Sequence, residues 1–207
     1  MRHIVTHYWN EMDIHNEFFR LTSEFNRRVA ERLGWKFNAD SKKRVSIENP
    51  WREKAAKLVE SFEGMPDGDQ VLWIDGDCLL VGNDIELIFD DLGIHDIGMV
   101  KFGASKEWNC GVTPMTVNPG VRALWKDVRD HPNNMLLDLE EHVKALDNDH
   151  FIPVGEHRVT VVELARKWNE TYDERNEFTE IIGFHGYDAY TKRDRIAEVL
   201  EILKCRI

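Results

Sequence analysis

Residues 71–80 read Val-Leu-Trp-Ile-Asp-Gly-Asp-Cys-Leu-Leu, an apolar run interrupted by two aspartates that flank one glycine. A continuous apolar run bounded by turn-forming residues is typical of a strand buried on both faces. In extended backbone, residues i and i+2 point to the same side, so Asp75 and Asp77 are predicted to converge at the end of this strand. Two close carboxylates repel each other and lose hydration, which predicts a shared divalent cation with oxygen ligands.

An exposed turn after the strand is the alternative interpretation of the Asp-Gly-Asp motif, because Asp-Gly pairs favour turns. The apolar residues on both sides favour a functional site instead, since a polar surface turn seldom lies between two such runs. An Asp-x-Asp pattern is weak by itself, so its meaning depends on the rest of the chain.

The composition of the 207 residues is that of a globular protein, with 42% apolar and 31% charged residues. A net charge of −11 argues against a duplex nucleic acid partner, because phosphate contacts need clustered lysine and arginine. Three widely spaced cysteines without a CxxC pair indicate a reducing compartment, and the N-terminus lacks the apolar run of a signal peptide or membrane anchor. We therefore expect a cytoplasmic protein without a membrane span. Because the helical pattern continues to Ile207, the chain is also compatible with one domain of a longer protein.

Strand patterns alternate with helix patterns, which predicts an α/β protein with a mostly parallel sheet. The predicted strands cover 3–9, 35–37, 71–80, 97–102, 107–112, 151–154 and 181–186. The predicted helices cover 18–33, 50–62, 85–92, 119–128, 136–146 and 189–203. Residues 38–44 form a polar connection, and 159–168 fit either a helix or a strand. Ligands of such sheets bind at the carboxyl ends of strands, where Asp75 and Asp77 fall.

Segment 71–80 resembles the DxD segment of GT-A glycosyltransferases, in which an apolar run precedes Asp-x-Asp and further apolar residues follow it. Three other segments are similar, in chain order, to those of the retaining galactosyl- and mannosyltransferase-type families. These are Pro-Trp-Arg-Glu-Lys at 50–54, Asn-Cys-Gly-Val at 109–112, and Phe-His-Gly at 184–186 with Lys192. The chain also resembles compact glycosyltransferase domains encoded by large DNA viruses.

The resemblance implies a single GT-A (Rossmann-like) domain over residues 1–207, with a central mostly parallel mixed sheet flanked by helices. Residues 1–105 would form the nucleotide-binding half, and residues 106–207 would complete the acceptor and metal sites. The implied activity is metal-dependent transfer of a sugar, with retention of configuration, from a UDP-sugar to a glycan or glycoprotein acceptor. The implied cofactor is Mn²⁺, which suits mixed carboxylate and imidazole ligation, with Mg²⁺ next.

The resemblance also assigns the donor site. The predicted metal ligands are Asp75, Asp77 and His185. The predicted nucleotide-sugar contacts are Thr6, Tyr8, Arg52, Lys54, Asp75, Gly76 and Lys192. An aromatic side chain at the end of the first strand is suited to stacking on uracil, and lysines are suited to the diphosphate. Each assignment has a purely structural alternative. The end of the first strand would pack in the core, and Arg52 and Lys54 would be exposed helix residues. His185 would be a loop residue, and Lys192 would belong to a solvated helix face.

The predicted catalytic residues are Asn109, Glu140 and Glu141. Asn109 belongs to the N-x-G segment, which lines the donor and acceptor pocket in the families named above. Glu140 and Glu141 are the nearest match to the acidic-Gln-acidic triplet of those families. An inverting enzyme would use such a carboxylate as a general base, whereas a retaining one would use it to position or stabilise the transition state.

Two other functions fit the same motif. A phosphohydrolase of the haloacid dehalogenase type also has an apolar strand followed by Asp-x-Asp, in which the first aspartate is the nucleophile. That family places the motif near its N-terminus, whereas 74 residues precede Asp75 here. The non-catalytic alternative is a nucleotide-sugar or glycan-binding module that keeps the metal site without transferring a sugar.

Overall fold

The computed structural model describes residues 1–10, 13–43, 50–102, 107–130 and 151–204. The strands of the main sheet are β1 (Arg2–Asn10), β2 (Lys36–Lys43), β3 (Gln70–Ile74), β5 (Ile97–Phe102), β6 (Glu107–Asn109), β7 (Val112–Thr116), β8 (Phe151–Val154) and β9 (His157–Leu164). A second sheet contains β4 (Cys78–Leu80), β10 (Glu170–Thr171) and β11 (Ile181–Gly183). The α-helices are α1 (Asp13–Leu33), α2 (Pro50–Phe62), α3 (Ile88–Leu92), α4 (Pro119–Asp130) and α5 (Ala189–Lys204).

The main sheet has eight strands in the order β2-β1-β3-β7-β5-β9-β8, with β6 paired to β5. Strands β1, β2, β3, β5 and β9 run in one direction, and β6, β7 and β8 run in the other. Helices α2 and α4 pack on each other, and α1 packs on α5. The predicted α/β fold with a central, mostly parallel mixed sheet flanked by helices is therefore confirmed.

Strand β3 is buried on both faces, as its sequence predicts. Val71 and Trp73 belong to a core that includes residues of α2 and α4. Leu72 and Ile74 belong to a separate core that includes residues of α1 and α3. Since burying one such side chain contributes roughly 1.5–3 kcal/mol, the alternation along β3 ties both helical layers to the strand that precedes Asp75.

The continuous strand predicted over 71–80 is wrong. Strand β3 ends at Ile74, and β4 begins at Cys78 in the second sheet, where it pairs with β11. The Cys78 amide donates a hydrogen bond to the Asp75 carbonyl at 3.0 Å, which closes a turn. Asp and Gly have low strand propensity and favour turns, so the backbone adopts the turn alternative. The turn is not a surface feature, however, because Asp77 is only 5% exposed.

Two features hold this turn against the body of the protein. The hydroxyl of Thr22 on α1 donates to the Gly76 carbonyl at 2.7 Å. A Cβ on Gly76 would lie 2.6 Å from Cδ2 of Tyr8, so only glycine lets the turn pack directly against β1. The Asp-Gly-Asp corner is therefore placed by α1 and β1 as well as by its own sequence.

Most other predicted elements are confirmed, including strands 97–102 and 151–154 and the helix that starts at Pro50. Residues 38–43, predicted as a connection, are strand β2 because they continue a parallel ladder with β1. Of the ambiguous residues 159–168, those up to Leu164 belong to β9. The helix predicted over 136–146 lies outside the described residues. Among the described helices, none has both the length and the apolar character needed to cross a membrane.

Helix α4 depends on Asn118, whose Oδ1 accepts a hydrogen bond from the Val121 amide at 2.9 Å and whose Nδ2 donates to Asp96 at 2.6 Å. We expect Asn118→Ala to lower the free energy of unfolding by about 1–2 kcal/mol, because an N-cap contact is lost. Urea denaturation measures this change. Lys126→Ala, on the exposed side of the same helix, should change the value by less than about 0.5 kcal/mol. Equal losses in the two variants would contradict the assigned cap.

Candidate functional site

A cavity of about 230 Å³ lies at the carboxyl ends of β1 and β3. Seven residues predicted for the donor site line it, namely Tyr8, Lys54, Asp75, Gly76, Asp77, His185 and Lys192. A larger groove of about 760 Å³ lies near the end of β4 and the last turns of α5, and its lining includes none of the predicted site residues that the structure describes. The smaller cavity is therefore the candidate site, because the predicted donor-site residues line it.

Asp75 stands at the end of β3 and is 27% exposed at its side chain. Its Oδ1 accepts hydrogen bonds from Lys54 Nζ at 3.1 Å and from Trp73 Nε1 at 2.8 Å. Lys54 is 1% exposed, lies over the Trp73 ring and also donates to the Cys110 carbonyl. Burial opposes the charge of Lys54, but the Asp75 carboxylate raises its pKa above the usual value. Asp75 and Lys54 thus form a charged pair at one wall of the cavity.

Asp77 has different partners. Its Oδ2 accepts a hydrogen bond from Lys192 Nζ at 2.5 Å, and its Oδ1 lies 3.4 Å from His185 Nδ1. Burial raises the pKa of Asp77, but His185 and Lys192 outweigh burial and lower it below the usual value. For His185 the two effects have the opposite signs. Burial lowers the pKa of the imidazole, but the Asp77 carboxylate outweighs burial and raises it well above the ordinary value. The carboxylate of Asp77 is therefore ionised although it is buried.

The two aspartates are compensated separately, by Lys54 and Lys192, rather than by one shared protein cation. Within the described ranges, the group of potential metal ligands whose atoms lie within 4.8 Å of one another consists of Asp77, Cys78 and His185. Burial raises the pKa of the Cys78 thiol to about 11, so that thiol is neutral near pH 7. The structure thus brings Asp77 and His185 together, whereas Asp75 shares the cavity and contacts Lys54.

The remaining predicted residues lie in different surroundings. Tyr8 borders the cavity and packs on Phe19, and burial, followed by the charges of Asp77 and Asp75, raises its pKa. Thr6 is 2% exposed and is not among the residues that line the cavity. Asn109 ends β6, and its Oδ1 accepts a hydrogen bond from the Gly111 amide at 2.7 Å. Arg52 belongs to α2, but its side chain lies outside the described part of the chain, as do Glu140 and Glu141 entirely.

His7 and Trp73 also line the cavity, although the sequence did not mark them as site residues. His7 Nδ1 forms a hydrogen bond with Asp40 on β2, which also pairs with Lys57 at 3.0 Å. Burial raises the pKa of Asp40, but these two partners lower it below its usual value. His7 and Asp40 are paired by the parallel register of β1 and β2. Because β2 was predicted to end at residue 37, this pairing could not be anticipated.

Comparison with solved structures identifies the fold. The chain is similar to a glycosyltransferase involved in the glycosylation of the major capsid of PBCV-1, with a TM-score of 0.69, 13% identity and coverage of 94% of this chain and 98% of that chain. It is also similar to WbbM, a bifunctional glycosyltransferase, with a TM-score of 0.55, 12% identity and coverage of 97% of this chain and 51% of that chain. No protein-family model and no curated protein sequence matches. The predicted GT-A fold and the resemblance to a viral glycosyltransferase are confirmed, and at these identities the likeness establishes the fold alone.

The Lys54–Asp75 pair can be tested by substitution. We expect Lys54→Met to lower the free energy of unfolding by about 3 kcal/mol, because it leaves a partly buried carboxylate without its cation. Adding Asp75→Asn should restore part of the loss, since no uncompensated charge then remains. Chemical denaturation of the single and double variants measures both effects.

Lys101 offers a matched control. It also lies over an indole ring, that of Trp108, and pairs with Glu163 at 2.8 Å, but the two side chains are 30% and 51% exposed. Lys101→Met should therefore lower the free energy of unfolding by less than about 1 kcal/mol. Similar losses for Lys54→Met and Lys101→Met would show that burial does not strengthen the Lys54–Asp75 pair.

Proposed function

We propose that this protein is a glycosyltransferase that moves a sugar from a nucleoside diphosphate sugar, with UDP favoured, to a glycan or glycoprotein acceptor. The observation that carries the proposal is the convergence of Asp75, Asp77, His185 and Lys192 in one cavity at the carboxyl end of β3. A GT-A fold surrounds that cavity. Sugar transfer from a diphosphate requires stabilisation of the leaving group's charge, and this set of acidic, basic and imidazole groups suits that task.

Asp77 and His185 fit the divalent metal that the proposal includes. Asp77 Oδ1 and His185 Nδ1 lie 3.4 Å apart, close to the spacing of about 3 Å that neighbouring ligand atoms adopt when each lies about 2.1 Å from one ion. A carboxylate with an imidazole suits Mn²⁺, with Mg²⁺ next. Asp77 and His185 would hold the ion, together with Asp75 in the predicted ligand set. When bound, such an ion supplies Lewis-acid stabilisation of the diphosphate.

The other residues of the cavity have roles in binding the donor. Lys192 neutralises Asp77 and can exchange that carboxylate for a phosphate oxygen of the donor. Lys54 is held by two acceptors, so it anchors Asp75 and adds positive charge to the wall of the cavity. Tyr8 lines the cavity, and its ring is proposed to stack on the base of the donor. Thr6, Arg52 and Gly76 complete the proposed donor contacts.

The finer assignments extend the same proposal. Asn109, Glu140 and Glu141 are the proposed catalytic residues, and transfer is proposed to proceed with retention. Residues 1–105 are proposed to bind the nucleotide, and residues 106–207 to complete the metal and acceptor sites. His185 and Lys192, which come from the second of these halves and meet Asp77 in the cavity, support this division.

A phosphohydrolase is not favoured. The first aspartate of such an enzyme must act as a nucleophile, but Asp75 is engaged by both Lys54 and the Trp73 indole. The likeness to glycosyltransferase structures also extends over nearly the whole chain. A binding module without transfer would use the same donor contacts, so turnover must be measured to separate it from an enzyme.

The first experiment measures donor binding. Isothermal titration calorimetry with UDP-glucose, UDP-galactose and GDP-mannose, with and without Mn²⁺, should show Mn²⁺-dependent binding of a UDP-sugar by the wild-type protein. Asp77→Ala should abolish that binding, because it removes the carboxylate that both His185 and Lys192 contact. Asp90→Asn, at an exposed acidic position of α3, is the control and should bind like the wild type.

The second experiment measures turnover. Release of UDP from the donor, in the presence of a panel of glycan acceptors and Mn²⁺, is expected from the wild type and not from Asp77→Ala. Release of inorganic phosphate from a phosphomonoester would contradict the proposal. Tight Mn²⁺-dependent binding without turnover, over the whole acceptor panel, would favour the binding module.

A further inference from the structure

We infer that Asn169 is a positioning residue for His185, holding the imidazole so that Nε2 carries the proton and Nδ1 faces Asp77. Asn169 follows the short 3₁₀ helix Arg166–Trp168 and directly precedes β10. Strand β10 pairs with β11, whose end leads into His185. The inference rests on the proposed function only in taking His185 as a metal ligand.

Asn169 is fully buried, with 0% of its surface exposed. A buried carboxamide costs free energy unless its donors and acceptor find partners. Two partners are side chains of the same region, because Asn169 Nδ2 lies 2.7 Å from Asn109 Oδ1 and Asn169 Oδ1 lies 3.4 Å from His185 Nε2. The buried amide therefore connects the end of β6 to the candidate metal ligand.

The donors and acceptors in this chain of contacts determine how each amide is oriented. The Gly111 backbone N–H can only donate, so the Asn109 atom 2.7 Å from it must be the carbonyl oxygen. The Asn169 atom that contacts the same oxygen must then be its NH₂ group. Asn169 consequently turns its own oxygen towards His185 Nε2.

An oxygen acceptor beside Nε2 favours a proton on that nitrogen. On the other side of the ring, the Asp77 carboxylate lies 3.4 Å from Nδ1 and accepts a hydrogen bond from a proton there in the metal-free protein. A metal bound at Nδ1 would replace that proton, whereas the proton on Nε2 would stay with Asn169. Metal-binding histidines commonly donate their other ring N–H to a neighbouring acceptor, which fixes the tautomer and the ring plane. Asn169 stands in that place here, and Asn109 orients Asn169.

Two glycines leave the space for this contact. A Cβ on Gly183 would lie 2.4 Å from His185 Nε2 and 3.0 Å from Asn169 Oδ1. A Cβ on Gly111 would lie 2.9 Å from Asn109 Oδ1 and 3.0 Å from the His185 ring. Any larger residue at either position would separate the imidazole from its support. The geometry thus also gives Asn109 a supporting role, in addition to its proposed place in the pocket.

The test measures Mn²⁺ affinity directly, by calorimetry on the full chain without a nucleotide sugar. Asn169→Ala should weaken Mn²⁺ binding by about 10- to 100-fold, the usual effect of removing a residue that orients a metal ligand. Asn118→Ala, which removes a partly buried amide contact at the start of α4, should keep the wild-type affinity. Wild-type affinity in Asn169→Ala would overturn the inference. If Asn169→Ala does not fold, Asn109→Ala should show the same direction of change, and unchanged affinity there would also overturn it.

A second readout reports the ring itself. In ¹⁵N-histidine-labelled wild-type protein, the Nε2–H proton of His185 should be protected from exchange with water, and in Asn169→Ala this protection should be lost. His185→Gln assigns the signal. An unprotected Nε2–H in the wild type would refute the Asn169 contact. If the wild type binds no Mn²⁺ but the protected signal is present and depends on Asn169, the metal-dependent function fails while the positioning contact stands.

Discussion

Asp77 carries a full charge at a buried position, and the architecture of the site follows from the need to compensate it. An isolated buried carboxylate would cost several kcal/mol, so its folded environment must supply positive charge and hydrogen-bond donors. Lys192 on α5 and His185 after β11 do so from positions more than one hundred residues along the chain. These contacts hold the second sheet, the loop at 184–186 and α5 against the Asp75–Asp77 turn.

The Asp75–Asp77 turn depends on the close approach of its backbone to neighbouring elements of the fold. Gly76 packs its backbone against Tyr8, and Gly183 leaves room for His185 beside Asn169. Each glycine stands where two elements of the fold meet, and a single methyl group would force them apart. The site therefore combines a charged centre with a frame in which several contacts depend on the absence of a side chain. Among the described residues, Cys78 and Cys110 are both buried free thiols.

Electrostatics explains how an acidic protein can present a cavity suited to a diphosphate. The chain has a net charge of −11, yet Lys54 and Lys192 both face the cavity, each held by one aspartate of the motif. The ion pair with a carboxylate orders the side chain of each lysine. A ligand phosphate can then compete for Lys192, whose side chain is 15% exposed, whereas the side chain of Lys54 is 2% exposed and is bound on two sides.

The local pattern was sufficient to predict the buried strand before Asp75, most of the described helices and the α/β order, because hydrophobic periodicity acts over a few residues. The resemblance of the DxD, N-x-G and His-Gly segments to known motifs also located Asp77, His185 and Lys192. Neither the local pattern nor the resemblance predicted which distant residues pair with one another. The separate compensation of Asp75 and Asp77, the His7–Asp40 contact and the buried Asn169 all arise where strands or helices far apart in the chain meet. Local propensity carries no information about those partners, so only the tertiary packing set them.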